Sequence, residues 1–207
     1  LQCADVHVRL GDRVLLQAFS VSFQPGRFTA ILGPNGVGKS TLLSLLSGQR
    51  RPDGGSVLLD TRPLHDYSAQ ALALRRAVMP QESAVAFDFS VREVAELGRY
   101  PHRHHPDADE PGMVTSALEA TDVAALAPRI FNTLSGGEKS RVHLARALVQ
   151  VWARRPDGAA CWLLLDEPTA ALDLAHQHQA LRLLQDRART HGLGVIAVLH
   201  DLNLALR

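Results

Sequence analysis

The chain has 207 residues, 46% of them hydrophobic and 21% charged. That is enough apolar material for a core without staples, and it excludes a disordered or collagen-like chain. Twenty-two Lys and Arg against 21 Asp and Glu leave a formal net charge of +1, which lacks the basic footprint of a nucleic-acid binder, so no nucleic-acid partner is expected. Cys3 and Cys161 form no spaced cluster and read as two reduced, partly buried thiols rather than a disulfide framework or a zinc site. The longest apolar run, Ala159 to Leu165, is far too short to cross a bilayer. No charged-then-apolar leader opens the chain. The first residue is Leu1, and Asp201 to Arg207 reads as a helix cut short, so the natural protein is expected to be longer.

Cys3 to Leu16, split at Gly11-Asp12, reads as a hairpin, and Ala18 to Phe23 as a further strand ended by Pro25-Gly26. Phe28 to Leu32 is a short apolar strand that runs into a glycine-rich loop. A helix is expected over Ser40 to Ser47, stopped by Gly48, then a turn at Pro52 to Gly55 and a strand over Ser56 to Leu59. Ala69 to Arg76 reads as helix, Ala77 to Met79 as strand, and Gln81 opens a loop. Val91 to Leu97, Val114 to Ala120 and Val123 to Leu126 read as helices, with Gly98 to Gly112 as an exposed polar loop. Glu138 to Trp152 is a long amphipathic helix. Trp162 to Leu165 is an apolar strand of the kind buried on both faces of a parallel sheet, Leu174 to Thr190 a helix, and Val195 to Leu199 a second buried strand. Strands alternating with helices imply an α/β fold with a parallel sheet. The span 82–133 has helices and no convincing strand, and is the candidate for an inserted helical lobe within a single domain, 1–207.

Three constellations carry chemistry. Gly33-Pro34-Asn35-Gly36-Val37-Gly38-Lys39-Ser40-Thr41 has the P-loop spacing between a strand and a helix. Its small residues let backbone N–H groups wrap phosphate oxygens at the positive end of the following helix. Lys39 neutralises β and γ phosphates, and the Ser40 hydroxyl ligates Mg²⁺. Leu163-Leu164-Leu165-Asp166-Glu167 ends a strand on two carboxylates: Asp166 placed to hold Mg²⁺ through waters, Glu167 to polarise the attacking water as a general base. Leu134-Ser135-Gly136-Gly137-Glu138 opens the long helix and offers a second phosphate-facing helix end. One chain is not expected to bring both loops onto one nucleotide, whereas two chains facing each other can.

In this order, and with Ala171-Leu172-Asp173 and His200, these motifs resemble the full set of ABC-transporter ATPases across essentially the whole chain. The resemblance implies a P-loop NTPase core with a parallel sheet, an N-terminal antiparallel β portion and an inserted helical subdomain. It implies ATP as the nucleotide, with Mg²⁺, and a head-to-tail homodimer. Gln81 takes the place of a residue touching Mg²⁺ and the attacking water. Ser135, Gly136, Gly137 and Glu138 match the signature that closes on the partner's ATP, Asp173 the residue that reports across the dimer, and His200 the histidine that contacts the γ-phosphate. One position departs. Leu10 stands where many relatives carry an aromatic that stacks on adenine, so adenine contact is expected to be weaker or made by aliphatic side chains, which leaves ATP over GTP selectivity open.

Less universal segments resemble the ATPases of hemin importers: Ala77 to Ala84, Phe89 to Val94, Val149 to Trp162, and Ala170 to Gln179 with its histidine pair. Asp88 departs there from an expected proline. The implied partners are transmembrane permease subunits and a periplasmic or surface haem-binding protein acting through them, at the cytoplasmic face of a bacterial plasma membrane. The close alternative is a ferric-siderophore or cobalamin importer, whose ATPases share His200-Asp201-Leu202-Asn203. A soluble DNA- or ribosome-acting ABC ATPase fits less well, because there is no coiled-coil insertion and only one cassette. A P-loop kinase or GTPase leaves Leu134 to Glu138 unexplained. Phe87 and Phe89 are read as a permease-docking loop, with lobe core as the other option. His102, His104 and His105 are read as a solvated loop rather than as haem ligands.

Overall fold

A computed structural model describes residues 1–81, 85–104, 106–107 and 109–199. Of the residues singled out above, Glu82, Ser83, Ala84, His105, His200, Asp201, Leu202 and Asn203 lie outside the described residues. In chain order the elements begin β1 (Gln2–Leu10), β2 (Arg13–Ser22), β3 (Phe28–Ile31), α1 (Lys39–Leu46), β4 (Gly54–Leu59), β5 (Arg62–Pro63), α2 (Ala69–Ala73) and β6 (Arg76–Met79). They continue with α3 (Val91–Glu96), α4 (Glu110–Ala120), α5 (Gly136–Gln150), β7 (Trp162–Asp166), α6 (Leu174–His191) and β8 (Gly194–Val198), with short 3₁₀ turns between.

The strands form an antiparallel sheet, order β2-β1-β4-β5, and a parallel sheet, order β3-β8-β7-β6. This is the α/β class expected from the alternating elements. The central parallel strands are continuous apolar runs because both of their faces are covered. Side-chain alternation divides them cleanly. Leu163, Leu165, Val195 and Ala197 pack with α5 and α6, while Trp162, Leu164, Ile196 and Val198 pack with α1 and the antiparallel sheet. Helix α1 is therefore held between two sheets, which fixes the loop that precedes it.

A third core joins α3, α4, Phe131 and Leu134 to α5. Helix α5 serves two cores at once. Leu144, Ala147, Leu148 and Val151 face the parallel sheet, and Val142, Ala145 and Val149 face the helical cluster, each set at helical spacing. Its start is fixed by a capping box, in which Ser135 Oγ accepts from the Glu138 N–H and the Glu138 carboxylate accepts from the Ser135 N–H. The same device, Ser90 with Glu93, opens α3. No helix among the described residues is long and apolar enough to cross a membrane, and both cysteines are buried and unbridged.

Several local expectations need correction. β2 is one strand rather than the end of a hairpin plus a separate strand. Ala18 takes φ 49° and the register against β1 slips, so the strand kinks without ending. β5 is not legible in the sequence, because a two-residue strand carries no period. Helix α4 starts at Glu110 on the Asp109 cap, inside the span read as loop. Within that span Leu97–His102 is a 3₁₀ helix. Its Arg99 is 5% exposed, bonded to Val149 O at 3.1 Å and paired with Asp107 and Glu110. Gly98 permits this close approach, since a Cβ there would stand 2.2 Å from Arg146 O. His102 is half-buried and its Nε2 lies 2.9 Å from Gln150 O, so it is a structural tie and not a solvated side chain.

Candidate active site

β3 delivers the chain into the loop 33–38, whose turns need left-handed backbone at Gly36 (φ 75°) and Gly38 (φ 105°). Gly38 is the N-cap of α1 and contributes no side chain there, so the first amides of the helix are left facing the loop. Lys39 is only 7% exposed, and its ammonium donates to Gly33 O at 2.7 Å and to Pro34 O at 2.9 Å. A lysine held by its own loop carbonyls is a positioned cation that can trade those bonds for phosphate oxygens.

The parallel register brings the other parts alongside. β7 lies between β6 and β8, so its tip stands next to the end of β6 and near the loop above α1. Ser40 Oγ donates to Asp166 Oδ1 at 3.3 Å. The Gln81 amide donates to Glu167 Oε2 at 2.9 Å. Glu167 is bent out of the strand with φ 53°, a left-handed conformation that costs a non-glycine residue roughly 1–3 kcal/mol. Its N–H is retained by Val198 O at 3.2 Å. An open cleft of about 580 Å³ is walled by Asn35, Gly36, Gly38, Lys39, Ser40, Thr41, Gln81 and Glu167, and at its other end by Leu10, Arg13 and Leu15. The cleft thus combines a cation, backbone donors, hydroxyls and a carboxylate at one end with two leucines and an arginine at the other.

Ser135, Gly136, Gly137, Glu138 and Asp173 are not among the walls of that cleft. The first turn of α5 instead abuts the loop that follows Glu167. Ser140 Oγ donates to Pro168 O at 3.2 Å, and a Cβ on Gly137 would meet Ala171 O at 3.1 Å. The backbone hydrogen bond from Ser135, together with the Ser135 hydroxyl, holds the Glu138 carboxyl below its ordinary value. Asp173 caps α6 by accepting from the His176 N–H at 2.9 Å, and that backbone bond, with the bond to the His176 ring, lowers its carboxyl too. The ring also faces Asp122, 3.4 Å away, and Arg141 donates to the same carboxylate at 2.8 Å. This bridge between the helical cluster and the Asp173 turn could not be read from sequence, because its members are far apart in the chain. Arg13 at the cleft is a second residue that sequence reasoning passed over. His200 lies outside the described residues.

Phe87 and Phe89 separate. Phe87 is 70% exposed, while Phe89 packs against the third core. Asn132 donates to Phe87 O and to Asp88 Oδ1, and Phe131 N–H to Phe89 O, which holds the turn with Phe87 outward. Asp88, at the position where a proline is expected, is held by the hydrogen bond from Asn132 at 3.2 Å.

Comparison with known proteins bears on this arrangement. The profile of a family described as ABC transporter matches residues 16–170. The chain is 48% identical to the hemin import ATP-binding protein HmuV of Gloeobacter violaceus over 99% of its own length and 74% of that protein. Among solved structures it resembles a metal-chelate type ABC transporter in an inward-facing conformation, with a TM-score of 0.77 and 30% identity over 99% of this chain and 74% of that one. It also resembles a dimeric bacterial ABC transporter cassette, with a TM-score of 0.83 and 25% identity over 99% of this chain and 90% of that one.

Proposed function

This chain belongs to the ABC transporter family of ATPases, and from that premise we propose that it energises the import of haem through a separate transmembrane permease. The observation that carries the cargo is the 48% identity to a hemin import ATP-binding protein, sustained over 99% of the chain. ATPase motifs alone say nothing of cargo, because the ATPase need never touch it.

The mechanism follows from the residues present. The amides of the loop 33–38 and the Lys39 ammonium take the β and γ phosphates. Ser40 and Asp166, bonded to each other at 3.3 Å, with Gln81 beside them, form an oxygen donor set suited to a hard cation and would hold Mg²⁺. When bound, that ion neutralises charge on the phosphates. Glu167 accepts a proton from the attacking water, and Gln81, 2.9 Å from its carboxylate, orients both. Ser135 and its neighbours lie outside the cleft, so they act on a nucleotide held by a second copy, which supports a head-to-tail homodimer with two ATP. The outward Phe87, on the rim of the helical cluster, supports permease docking there. These partners set the subunit at the cytoplasmic face of the membrane, with a haem-binding protein delivering cargo from the other side.

The test is growth of a deletion strain on haem, on ferric siderophore and on cobalamin, supplied separately. Failure on haem alone is expected, and rescue should need an intact Glu167. Normal growth on haem with failure on siderophore iron would move the assignment to a metal-chelate importer.

A further inference from the structure

We propose that His176 is a positioning residue for ATP hydrolysis: its ring, set between Asp173 and Asp122, fixes the Asp173 turn against the end of α4. The role presupposes the homodimer proposed above, in which Asp173 and the first turn of α5 act at the cleft of a second copy.

Asp173 caps α6, and the cap needs only the backbone of His176, whose N–H donates to Asp173 Oδ1 at 2.9 Å. The imidazole adds a second set of contacts. Its Nδ1 lies 2.7 Å from Asp173 Oδ2, and its Nε2 lies 3.4 Å from Asp122 Oδ2. One ring thus spans two carboxylates that come from different parts of the chain.

Asp122 follows Thr121, the C-cap of α4, and takes φ 55°. Glycine is the usual residue at such a left-handed position, and a residue with a side chain is strained there. The carboxylate gives the strain a use. Its Oδ2 accepts from Arg141 of α5 at 2.8 Å and faces the His176 ring. The contacts therefore run from the start of α5 through Asp122 and His176 to Asp173. Beneath them, a cavity of only about 10 Å³ lies among Thr121, Arg141, Leu144, His176 and Ala180, so the ring has no room to swing inward. The turn before Asp173 is pinned separately, because Gln177 Nε2 donates to Thr169 O at 3.1 Å and to Leu172 O at 3.0 Å. Losing the ring would cut the link to α4 without unmaking the turn.

Both carboxylates are exposed, and exposed ion pairs add little to stability. Position is another matter, since a shift of about 1 Å in a group that aligns a reaction can cost up to about 10²-fold in rate. The bridge is therefore expected to show in turnover and not in melting.

The experiment measures melting temperature, equilibrium ATP binding with Mg²⁺, and turnover across protein concentration. The proteins are the parent, His176→Ala, His176→Asn, Asp122→Gly and the double variant of His176→Ala with Asp122→Gly. Glycine suits the backbone at 122 and leaves the bond from Arg141 to the main-chain oxygen of that residue in place. Asparagine keeps a donor near Asp173 but is too short to reach Asp122. Neither His176 nor Asp122 walls the cleft, so ATP affinity should stay within about twofold of the parent in every variant. The kcat should fall about tenfold in each single variant, and the double variant should be no slower than the singles, because all of them break one link. An Asp122→Gly or His176→Asn protein with kcat within about twofold of the parent would overturn the bridge, as would losses that multiply to about a hundredfold in the double variant. A weakened ATP affinity at unchanged kcat would place the effect in the chain's own cleft and overturn it too. Parent activity per chain that does not vary with concentration would instead remove the homodimer reading itself, a result seen without any variant.

Discussion

The Gln81 amide donates to the Glu167 carboxylate over 2.9 Å, joining the chain just beyond β6 to the residue just beyond β7. A base bonded to an amide has its carboxylate plane fixed before any water arrives. Glu167→Gln is expected to bind ATP normally and to lose turnover by a factor of about 10²–10⁴, leaving a trapped dimer. Gln81→Ala should keep the base and lose orientation, with a smaller drop. Phosphate release and equilibrium ATP binding read the two effects apart, and near-parental turnover in Glu167→Gln would remove it as the base.

The proposal that two chains share each site is tested by mixing. Lys39→Ala should abolish nucleotide binding or turnover in its own cleft, and Ser135→Arg should spoil the cleft of its partner. A mixed dimer holds one intact and one doubly broken site, so mixing two inactive proteins should recover part of the activity. Full activity of the isolated chain, independent of concentration, would contradict the shared site.

Phe87 and Phe89 should respond differently to the same change. Phe87→Asp places charge on a side chain already 70% exposed, so basal hydrolysis and melting temperature should hold while transport is lost. Phe89→Asp puts a carboxylate against the third core and should cost about 2 kcal/mol or more of stability. Transport that survives Phe87→Asp would place the permease elsewhere.

Acid sensitivity should trace in part to His102. Burial pushes its imidazole below the ordinary value, against the raising effect of the bond to Gln150, and the Arg99 charge adds to the lowering. The unfolded chain therefore binds the proton more readily. The contribution is full above the ordinary histidine value of about 6.5 and is lost as pH falls through the lower folded value. Melting temperature followed from pH 7.5 to pH 5 should fall less steeply in His102→Gln than in the parent. His191, also lowered by burial, remains in both and keeps the variant slope from vanishing. Equal slopes would leave His102 without this role.

Local chemistry was legible where it was contiguous. The glycines of the phosphate loop, the Ser135–Glu138 spacing and the apolar run into Asp166 each announce an element and its end. What could not be read depended on distant partners. Arg99 sits in a polar, proline-bearing stretch, and only its pairing with Asp107 and Glu110 beneath α5 makes burial tolerable. The inward turn of Phe89 and outward turn of Phe87 follow from Asn132, more than forty residues away. Leu10 stands out in the sequence as a missing ring, whereas Arg13 does not, since a hairpin's register decides which neighbour shares its face.

The two apolar stripes of α5 carry a consequence for anyone recombining such proteins. A graft that exchanged residues 82–133 with those of a relative would leave Val142, Ala145 and Val149 behind, facing a cluster shaped for other side chains. A graft that took α5 as well would bring foreign Leu144, Ala147 and Leu148 equivalents onto the parallel sheet. No single pair of crossover points keeps both seams native. A working chimera must be spliced along the helix surface, by exchanging the residues of one stripe and keeping those of the other.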